Sequence, residues 1–266
     1  MGSLGYDAMA VGERDLRFGV QELKKRAAAA KIPLLAANLV DKAGKRPFEE
    51  RRLLEAGGLK VGVFAVVSGE SFGRSGLTVL PPLEQANLQA KALREAGAEL
   101  VVALLHLPYD ASVEVARALV GVDYAVQAHD GRVNAPRLVG KTLLTAAGER
   151  GRQLGSAAIE LGSEGGPLFD RAEAKSARQQ LGYLDQTIAR TRATLEAMPE
   201  GPGRKAQAQM LETLVKRRDD LQAQVEAGVP PGRSSVLTDL TTLDGRVAED
   251  PEMARRTAAA DPHKLR

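Results

Sequence analysis

The sequence contains no cysteine and no tryptophan, and it has only five phenylalanines and four tyrosines. The absence of cysteine excludes a disulfide framework, a thiolate metal site and a cysteine nucleophile. The scarcity of aromatic rings leaves little surface on which nucleic-acid bases could stack. The net charge is +3, and acidic and basic residues are interspersed without a polybasic arm. The composition therefore predicts no nucleic-acid partner.

Long apolar runs are also lacking. No run reaches the length that spans a bilayer, and the N-terminal residues do not resemble the apolar core of a signal peptide. The sequence thus predicts no membrane span. The compartment stays unknown, since the lack of cysteine does not identify it. A chain of 266 residues has room for one or two domains.

The stretch 98–131 is the most informative part of the sequence. The apolar run Leu100–Leu105 predicts a buried strand that ends at His106, and a second apolar run over 122–128 ends at His129. Helical spacing of apolar residues over 111–120 predicts a helix between the two strands. Parallel strands joined by a helix bring their carboxyl ends to one edge of a sheet. Two of the three histidines should therefore face one crevice.

Strand and helix patterns alternate along the first 160 residues. This alternation is typical of a layered α/β core. The predicted strands cover 4–11, 34–39, 61–67, 142–146 and 156–161, the predicted helices cover 19–30 and 83–96, and 46–55 is predicted as a surface strand or hairpin arm.

The pattern changes after residue 169. Apolar residues recur at intervals of three and four from Leu181 to Met198, the run 199–203 contains two prolines, and a second helical pattern covers 204–227. This predicts an antiparallel helical hairpin, and the alternative is a coiled coil that binds a partner or a second copy. The predicted divisions are 1–165, the hairpin 166–230, and 231–266, whose strand and short terminal helix pack back on the first division.

Five segments carry a resemblance to a known family. They are GYDAMAVGERDLRFGVQEL, PLLAANL, VVALLHL, DYAVQAHDG and LLTAAGERGRQLGSAAIEL, in that order over residues 4–162. The first resembles the segment GYDAMAVGNHEFDYG of the calcineurin-like metallophosphoesterases, in their 5′-nucleotidase branch, and the others resemble later segments of that branch. The hairpin is not part of the shared pattern.

The resemblance implies a two-sheet α/β sandwich that lacks its first strands, with the hairpin inserted or appended. It also implies a two-metal centre, in which the metals clamp a phosphate and activate a water that attacks phosphorus. Family members are often periplasmic or secreted. The nucleotide-binding second domain of the family has no counterpart in this sequence.

The resemblance also assigns site positions. His106 corresponds to a strand-end metal ligand and His129 to the first histidine of a Gly-His-x-His motif, whose last histidine is Gly131 here. Glu13 replaces a metal-ligating asparagine, and Arg14 replaces the catalytic histidine. The family's earlier Asp-x-His and Gly-Asp segments have no counterpart. An arginine does not donate its proton near neutral pH, but its planar fork matches phosphate oxygens.

Two interpretations of the remaining residues stay open. Glu13, His106 and His129 could hold one divalent metal ion, zinc or manganese. Asp130 and Asp110 are candidates for supporting contacts behind these ligands, but the expectation with more weight is that each is an ordinary loop carboxylate that caps a turn. The alternative, which has more weight at this point, is that loop backbone holds the histidines while Glu13 pairs with Arg14 or Arg17, because three ligands without supporting contacts bind weakly.

The sequence favours a family domain whose hydrolysis site is incomplete, acting as a non-hydrolytic binding or structural module for a phosphorylated small molecule. One alternative is a phosphoester hydrolase that a missing N-terminal segment completes. The other is an interaction protein that forms a homo-oligomer or binds a partner protein through the hairpin.

Overall fold

The computed structural model describes residues 4–69, 72 and 75–259. The strands are β1 Met9–Ala10, β2 Leu34–Leu35, β3 Leu39–Val40, β4 Arg51–Ala56, β5 Leu59–Val67, β6 Thr78–Val79, β7 Leu100–His106, β8 Tyr124–Ala128, β9 Val133–Val139, β10 Thr142–Ala147, β11 Gln153–Glu160, β12 Glu164–Asp170 and β13 Arg233–Thr242. The helices are a 3-10 helix, Glu13–Phe18, and α1 Val20–Ala30, α2 Pro82–Glu95, α3 Tyr109–Ala118, α4 Arg171–Ala197, α5 Pro202–Ala227 and α6 Pro251–Ala259.

A six-stranded sheet forms the centre of the fold, in the order β4-β5-β7-β8-β10-β9. The four inner strands run parallel, and the two edge strands are antiparallel to their neighbours. In this register, Val67 pairs with His106, and His106 pairs with Ala128. The parallel strands therefore end together, and the two histidines reach the same edge of the sheet.

Two layers cover the central sheet. On one face, α2 and α3 pack over a core that includes Phe64, Ala103 and Leu105. Gly62 allows α2 to approach closely, since a Cβ there would lie 2.9 Å from Leu93 Cδ1. A second apolar cluster joins the 3-10 helix and α1 to β2 and β3. It contains Val11, which precedes the 3-10 helix and is fully buried.

A second, three-stranded sheet has the order β11-β13-β12. It packs against the central sheet through Tyr124, Leu143, Leu168 and Val236. The helices α4 and α5 lie between β12 and β13 in the chain, so the hairpin is an insertion within this sheet. The strand predicted near 235–243 is β13, which pairs with both β11 and β12. The three-part domain division remains a prediction.

The predicted antiparallel helical hairpin is formed by α4 and α5. Asp170 caps α4 by accepting a hydrogen bond from the Ala172 backbone N–H at 2.8 Å. Leu184, Ile188 and Thr191 are buried along α4, and α4 packs along α5. Because these seam residues are already covered, the hairpin does not require a partner chain to bury them. Oligomerisation or partner binding through the hairpin remains a prediction.

Several strand predictions needed correction. The strand predicted over 4–11 is only β1, and the strand predicted over 34–39 is divided into β2 and the start of β3. The strands β6, β9 and β12 were not predicted. Pro136 interrupts the pattern of β9, an edge strand with a bulge opposite it, which is where proline is tolerated. The glycines and proline of 165–167 likewise interrupt the alternating strand pattern of β12. Among the described helices, none is long and apolar enough to cross a bilayer.

Candidate metal centre

Glu13, His106 and His129 meet at the carboxyl edge of the central sheet. His106 Nε2 lies 2.6 Å from Glu13 Oε2, and His129 Nδ1 lies 3.3 Å from His106 Nε2 and 3.8 Å from Glu13 Oε2. All three side chains offer ligand atoms within 4.8 Å of one another. The two rings are nearly perpendicular, with centroids 5.0 Å apart. The three residues that the sequence analysis grouped therefore form one cluster.

Backbone geometry explains how the three side chains converge. His106 is the last residue of β7, and His129 directly follows β8 with a φ of 138°, a conformation that side-chain-bearing residues rarely adopt. Glu13 opens the 3-10 helix after Gly12. A Cβ on Gly12 would lie 3.1 Å from His106 Cε1, so a larger residue at position 12 would crowd the His106 ring. The Gly12 N–H donates to Asp15 Oδ2 at 2.8 Å and fixes the turn.

The surroundings of Glu13 favour its charged form. The exposed fractions of the side chains are 23% for Glu13, 17% for His106 and 19% for His129. Burial by itself raises the pKa of Glu13, but the hydrogen bond from His106 and the nearby histidine charges outweigh it, and the pKa is lowered. Glu13 is therefore a carboxylate near neutral pH, which is the form that binds a metal.

The donor set fits a transition metal. One carboxylate with two imidazoles is a common catalytic zinc set, and it leaves further positions open. With metal–ligand bonds of about 2.0–2.1 Å, ligand atoms of a tetrahedral site lie about 3.3 Å apart. The His129–His106 distance of 3.3 Å matches this spacing. The 2.6 Å contact between His106 and Glu13 is shorter because these atoms share a hydrogen bond, which an ion would replace.

Asp130 holds the loop that carries His129. Its Oδ2 accepts a hydrogen bond from the Tyr109 backbone N–H at 2.7 Å, and its Oδ1 accepts one from Gln127 Nε2 at 2.9 Å. Gln127 also donates to the Leu107 carbonyl at 2.9 Å. These contacts tie the end of β8 to the segment after β7. Gln127 was not predicted as a site residue, although it is the only amide side chain in the run 122–128.

Replacing Asp130 with alanine is expected to cost about 1–2 kcal/mol of unfolding free energy, because the first turn of α3 and Gln127 both lose an acceptor. It should also weaken metal binding by roughly 10–100-fold through the freed loop, as for other outer contacts of metal ligands. Denaturant unfolding and a zinc titration measure the two effects. Asp110→Ala is the control, since the side chain of Asp110 is 88% exposed. Equal behaviour of the two variants would refute the positioning role.

The two departures from the family pattern have distinct surroundings. The Arg14 side chain is 95% exposed, with Nε 3.8 Å from Glu13 Oε1, so it lies beside the cluster and is free to turn towards a ligand. Gly131 has a φ of 65°, and a Cβ there would lie 2.9 Å from Glu149 side-chain atoms. A side chain at position 131 would therefore require the Glu149 side chain to move.

In the alternative interpretation, Glu13 pairs with a neighbouring arginine and loop backbone holds the two histidines. The structure agrees with this interpretation only in part. Glu13 does have Arg14 as a neighbour. Within the part of the chain that the structure describes, however, His106 Nε2 contacts Glu13 Oε2, and His129 Nδ1 contacts His106 Nε2. Hydrogen bonds to loop backbone were the expectation of that interpretation. The convergence of the three donor atoms is compatible with the metal-site interpretation, and ligation itself remains a prediction.

Known proteins resemble this chain in sequence and in fold. A 5′-nucleotidase of Vibrio cholerae is 30% identical over 115 residues, which are 40% of this chain and 21% of that protein. The 5′-nucleotidase precursor of Thermus thermophilus superposes with a TM-score of 0.54 at 25% identity, over 59% of this chain and 36% of that one. No protein-family model matches the sequence.

Over these 115 residues the chain is similar to curated 5′-nucleotidases, and its fold is similar to that of 5′-nucleotidase and calcineurin-like phosphoesterase structures. The calcineurin-like phosphoesterase YfkN of Bacillus subtilis shares the fold, with a TM-score of 0.55 at 20% identity over 63% of this chain and 61% of that one. The predicted α/β phosphoesterase fold is thus confirmed. The chain spans about a fifth of the length of the first two curated relatives that it matches.

Proposed function

We propose that this phosphoesterase-family chain binds a single divalent metal ion through Glu13, His106 and His129, captures a phosphate group there, and does not hydrolyse it. The convergence of the three donor atoms within 4.8 Å of one another carries the proposal. The family is metal-dependent, which makes a transition metal the natural occupant, and the donor set suits zinc or manganese.

Arg14 supplies the phosphate contact in this proposal. Its guanidinium is permanently charged and exposed, and it lies beside Glu13. A planar fork that donates to two phosphate oxygens gives a charge-assisted, bidentate contact. The bound ion contributes positive charge for another phosphate oxygen. Together these groups would recognise a phosphomonoester or inorganic phosphate by its charge and its oxygen geometry.

The same residues argue against turnover. Hydrolysis requires a proton for the leaving oxygen, and an arginine side chain is not a proton donor in this reaction. Residue 131 is a glycine, so it offers no imidazole at the position of the family's last histidine. In this proposal, Glu13, His106 and His129 all ligate the same single ion. The chain therefore has the parts for holding a phosphate and lacks the parts for a two-metal reaction among its described residues.

The experiment compares binding with turnover in the full chain. Zinc- or manganese-loaded protein is titrated with inorganic phosphate by calorimetry and then incubated with p-nitrophenyl phosphate. We expect phosphate binding that Arg14→Ala weakens about 10–100-fold, the size of a lost charge-assisted hydrogen bond. Arg178→Ala, an exposed arginine of α4, is the matched charge control.

Release of p-nitrophenol should not exceed that of the His129→Ala variant. Turnover that the parent protein shows and His129→Ala loses would instead establish a hydrolase. Failure of the loaded protein to bind phosphate would remove the binding proposal.

A further inference from the structure

The strand β11 is an exposed edge of the three-stranded sheet. Among the described residues, it pairs with β13 on one side, and no strand is hydrogen-bonded to its other side. Every residue from Leu154 to Ala158 is exposed, and the run 154–159 contains no charged residue and no proline. An uncharged edge of this kind is a template on which another strand can pair.

The other sheet edges are protected in ways that β11 is not. The edge strand β4 carries Arg51, Arg52 and Glu55, and charged side chains oppose pairing with a further strand. The edge strand β9 contains Pro136, and a register shift interrupts its pairing with β10. The edge strand β12 contains Pro167 and pairs irregularly with β13. Of these four edges, β11 is therefore the one best suited to strand pairing.

The ladder between β11 and β13 shows which backbone groups face the open edge. The Leu243 N–H donates to the Arg152 carbonyl at 2.8 Å, and these two residues continue the register of the ladder by one step. They therefore form a hydrogen-bonded pair. Such pairs alternate along an antiparallel ladder, so the even-numbered residues of β11 bond to β13. The backbone groups of the odd-numbered residues point to the open edge, and these residues are Gln153, Gly155, Ala157 and Ile159.

This open edge is self-complementary about a two-fold axis. When a second β11 lies antiparallel with Ser156 opposite Ser156, Gly155 meets Ala157 and Gln153 meets Ile159. Every outward-pointing residue of the strand is then matched with an outward-pointing residue of the second copy. Moving the two-fold axis to residue 155 or 157 would leave some of them without a match within the strand.

The charges at the two ends of β11 fit the same arrangement. In this register, Arg152 lies opposite Glu160 of the second copy, and the pair occurs twice. Both residues are exposed, and the Glu160 side chain stays 70% exposed although it accepts a hydrogen bond from Arg171. Opposite charges that face each other across two strands stabilise the pairing, and like charges destabilise it. The charge match indicates that a second copy of this chain is the partner.

We propose that the chain forms a symmetric dimer in which β11 pairs antiparallel with β11 of a second copy. The two three-stranded sheets then join into one sheet with the order β12-β13-β11-β11-β13-β12. Main-chain hydrogen bonds provide the affinity in strand addition of this kind. The pairing strand contains none of Glu13, His106 and His129, so the dimer is independent of the proposed metal function.

The first test is the mass of the full chain by sedimentation equilibrium over a range of concentrations, in zinc and in EDTA. We expect the mass to rise from that of one chain, 28.2 kDa, towards that of two, equally in both conditions. Ala157→Pro removes an outward N–H and leaves the bonds to β13 intact. It should weaken the dimer at least about 10-fold, because each copy loses a hydrogen bond. Ala157→Val is the matched control, since valine keeps the N–H and suits a strand. Circular dichroism verifies that both variants fold.

Ser156→Cys tests the register of the pairing. The chain has no cysteine, so a disulfide in this variant can form only between two copies of residue 156. Opposite residues of a non-hydrogen-bonded pair have Cα atoms about 4.5 Å apart, which is within disulfide reach, so mild oxidation should crosslink the dimer. Leu154→Cys is the control. Leu154 lies opposite Ala158 of the second copy, so the two cysteines would be four residues apart, roughly 14 Å.

A dimer that Ala157→Pro weakens and that Ser156→Cys crosslinks supports the proposal. Four results would overturn it: a chain that stays monomeric, a dimer that Ala157→Pro leaves unchanged, folded Ser156→Cys that does not crosslink, or equal crosslinking by Leu154→Cys. Association that survives Ala157→Pro would place the interface elsewhere, as on the helical hairpin. None of these results changes the expected binding of zinc or phosphate, so failure of the dimer and failure of the metal proposal are distinguishable.

Discussion

Removing His129 or His106 is expected to lower the zinc affinity of the chain by more than about 100-fold, since even substitutions of outer contacts cost 10–100-fold in metal sites. Each imidazole supplies one of only three protein ligands, and the remaining pair cannot enclose an ion. Glu13→Ala should have a similar effect, because it removes the only carboxylate of the cluster. Competition with a chromophoric chelator measures the affinities.

The matched control for the carboxylate is Glu22→Ala. Glu22 lies on α1 and pairs with Arg26 at 2.7 Å, so the substitution removes the same charge from a surface ion pair. We expect this variant to bind zinc as the parent does. If the variants at His129, His106, Glu13 and Glu22 all bind zinc equally, the ion is held elsewhere. Glu13, His106 and His129 would then only form hydrogen bonds with one another.

Phe64→Ala is expected to lower the free energy of unfolding by about 3–5 kcal/mol, the usual cost of deleting a fully buried phenylalanine. Phe64 is 0% exposed on β5, between the central sheet and α2. The packed neighbours on β7 and α2 cannot close the space that its ring leaves. Urea denaturation, with the midpoint and the slope recorded, measures the loss.

Phe18→Ala is the matched control, since it deletes the same ring at a position that is 67% exposed. Phe18 contacts only the guanidinium groups of Arg17 and Arg26 among the cation–π pairs described, so about 1 kcal/mol or less should be lost. Equal losses in the two variants would contradict the assignment of the core. Zinc binding by Phe18→Ala should stay unchanged.

The meeting of His106 and His129 was predictable from physical rules. Each histidine ends an apolar run, and a helix joins the two runs, so a parallel pairing had to place both at one edge. The same reasoning could not predict that Glu13 lies next to these two histidines. No spacing rule connects residue 13 with residue 106, and only the resemblance to the family's first segment did so. The interpretation based on residues alone paired Glu13 with a neighbouring arginine.

The features that the sequence did not reveal are those that break periodicity. Strands β9 and β12 contain proline or paired glycines, and their backbone pairing depends on neighbours distant in the chain. The tether from Gln127 through Asp130 to Tyr109 likewise depends on where two strand ends meet.

The most direct test of the central claim is anomalous diffraction at the zinc edge from crystals of the zinc-loaded chain. We predict one strong peak per chain within bonding distance of His106 Nε2, His129 Nδ1 and a Glu13 carboxylate oxygen, with the hydrogen bond between Glu13 and His106 replaced. A chain that shows no peak there, and that keeps the 2.6 Å contact between those two side chains, would contradict the account.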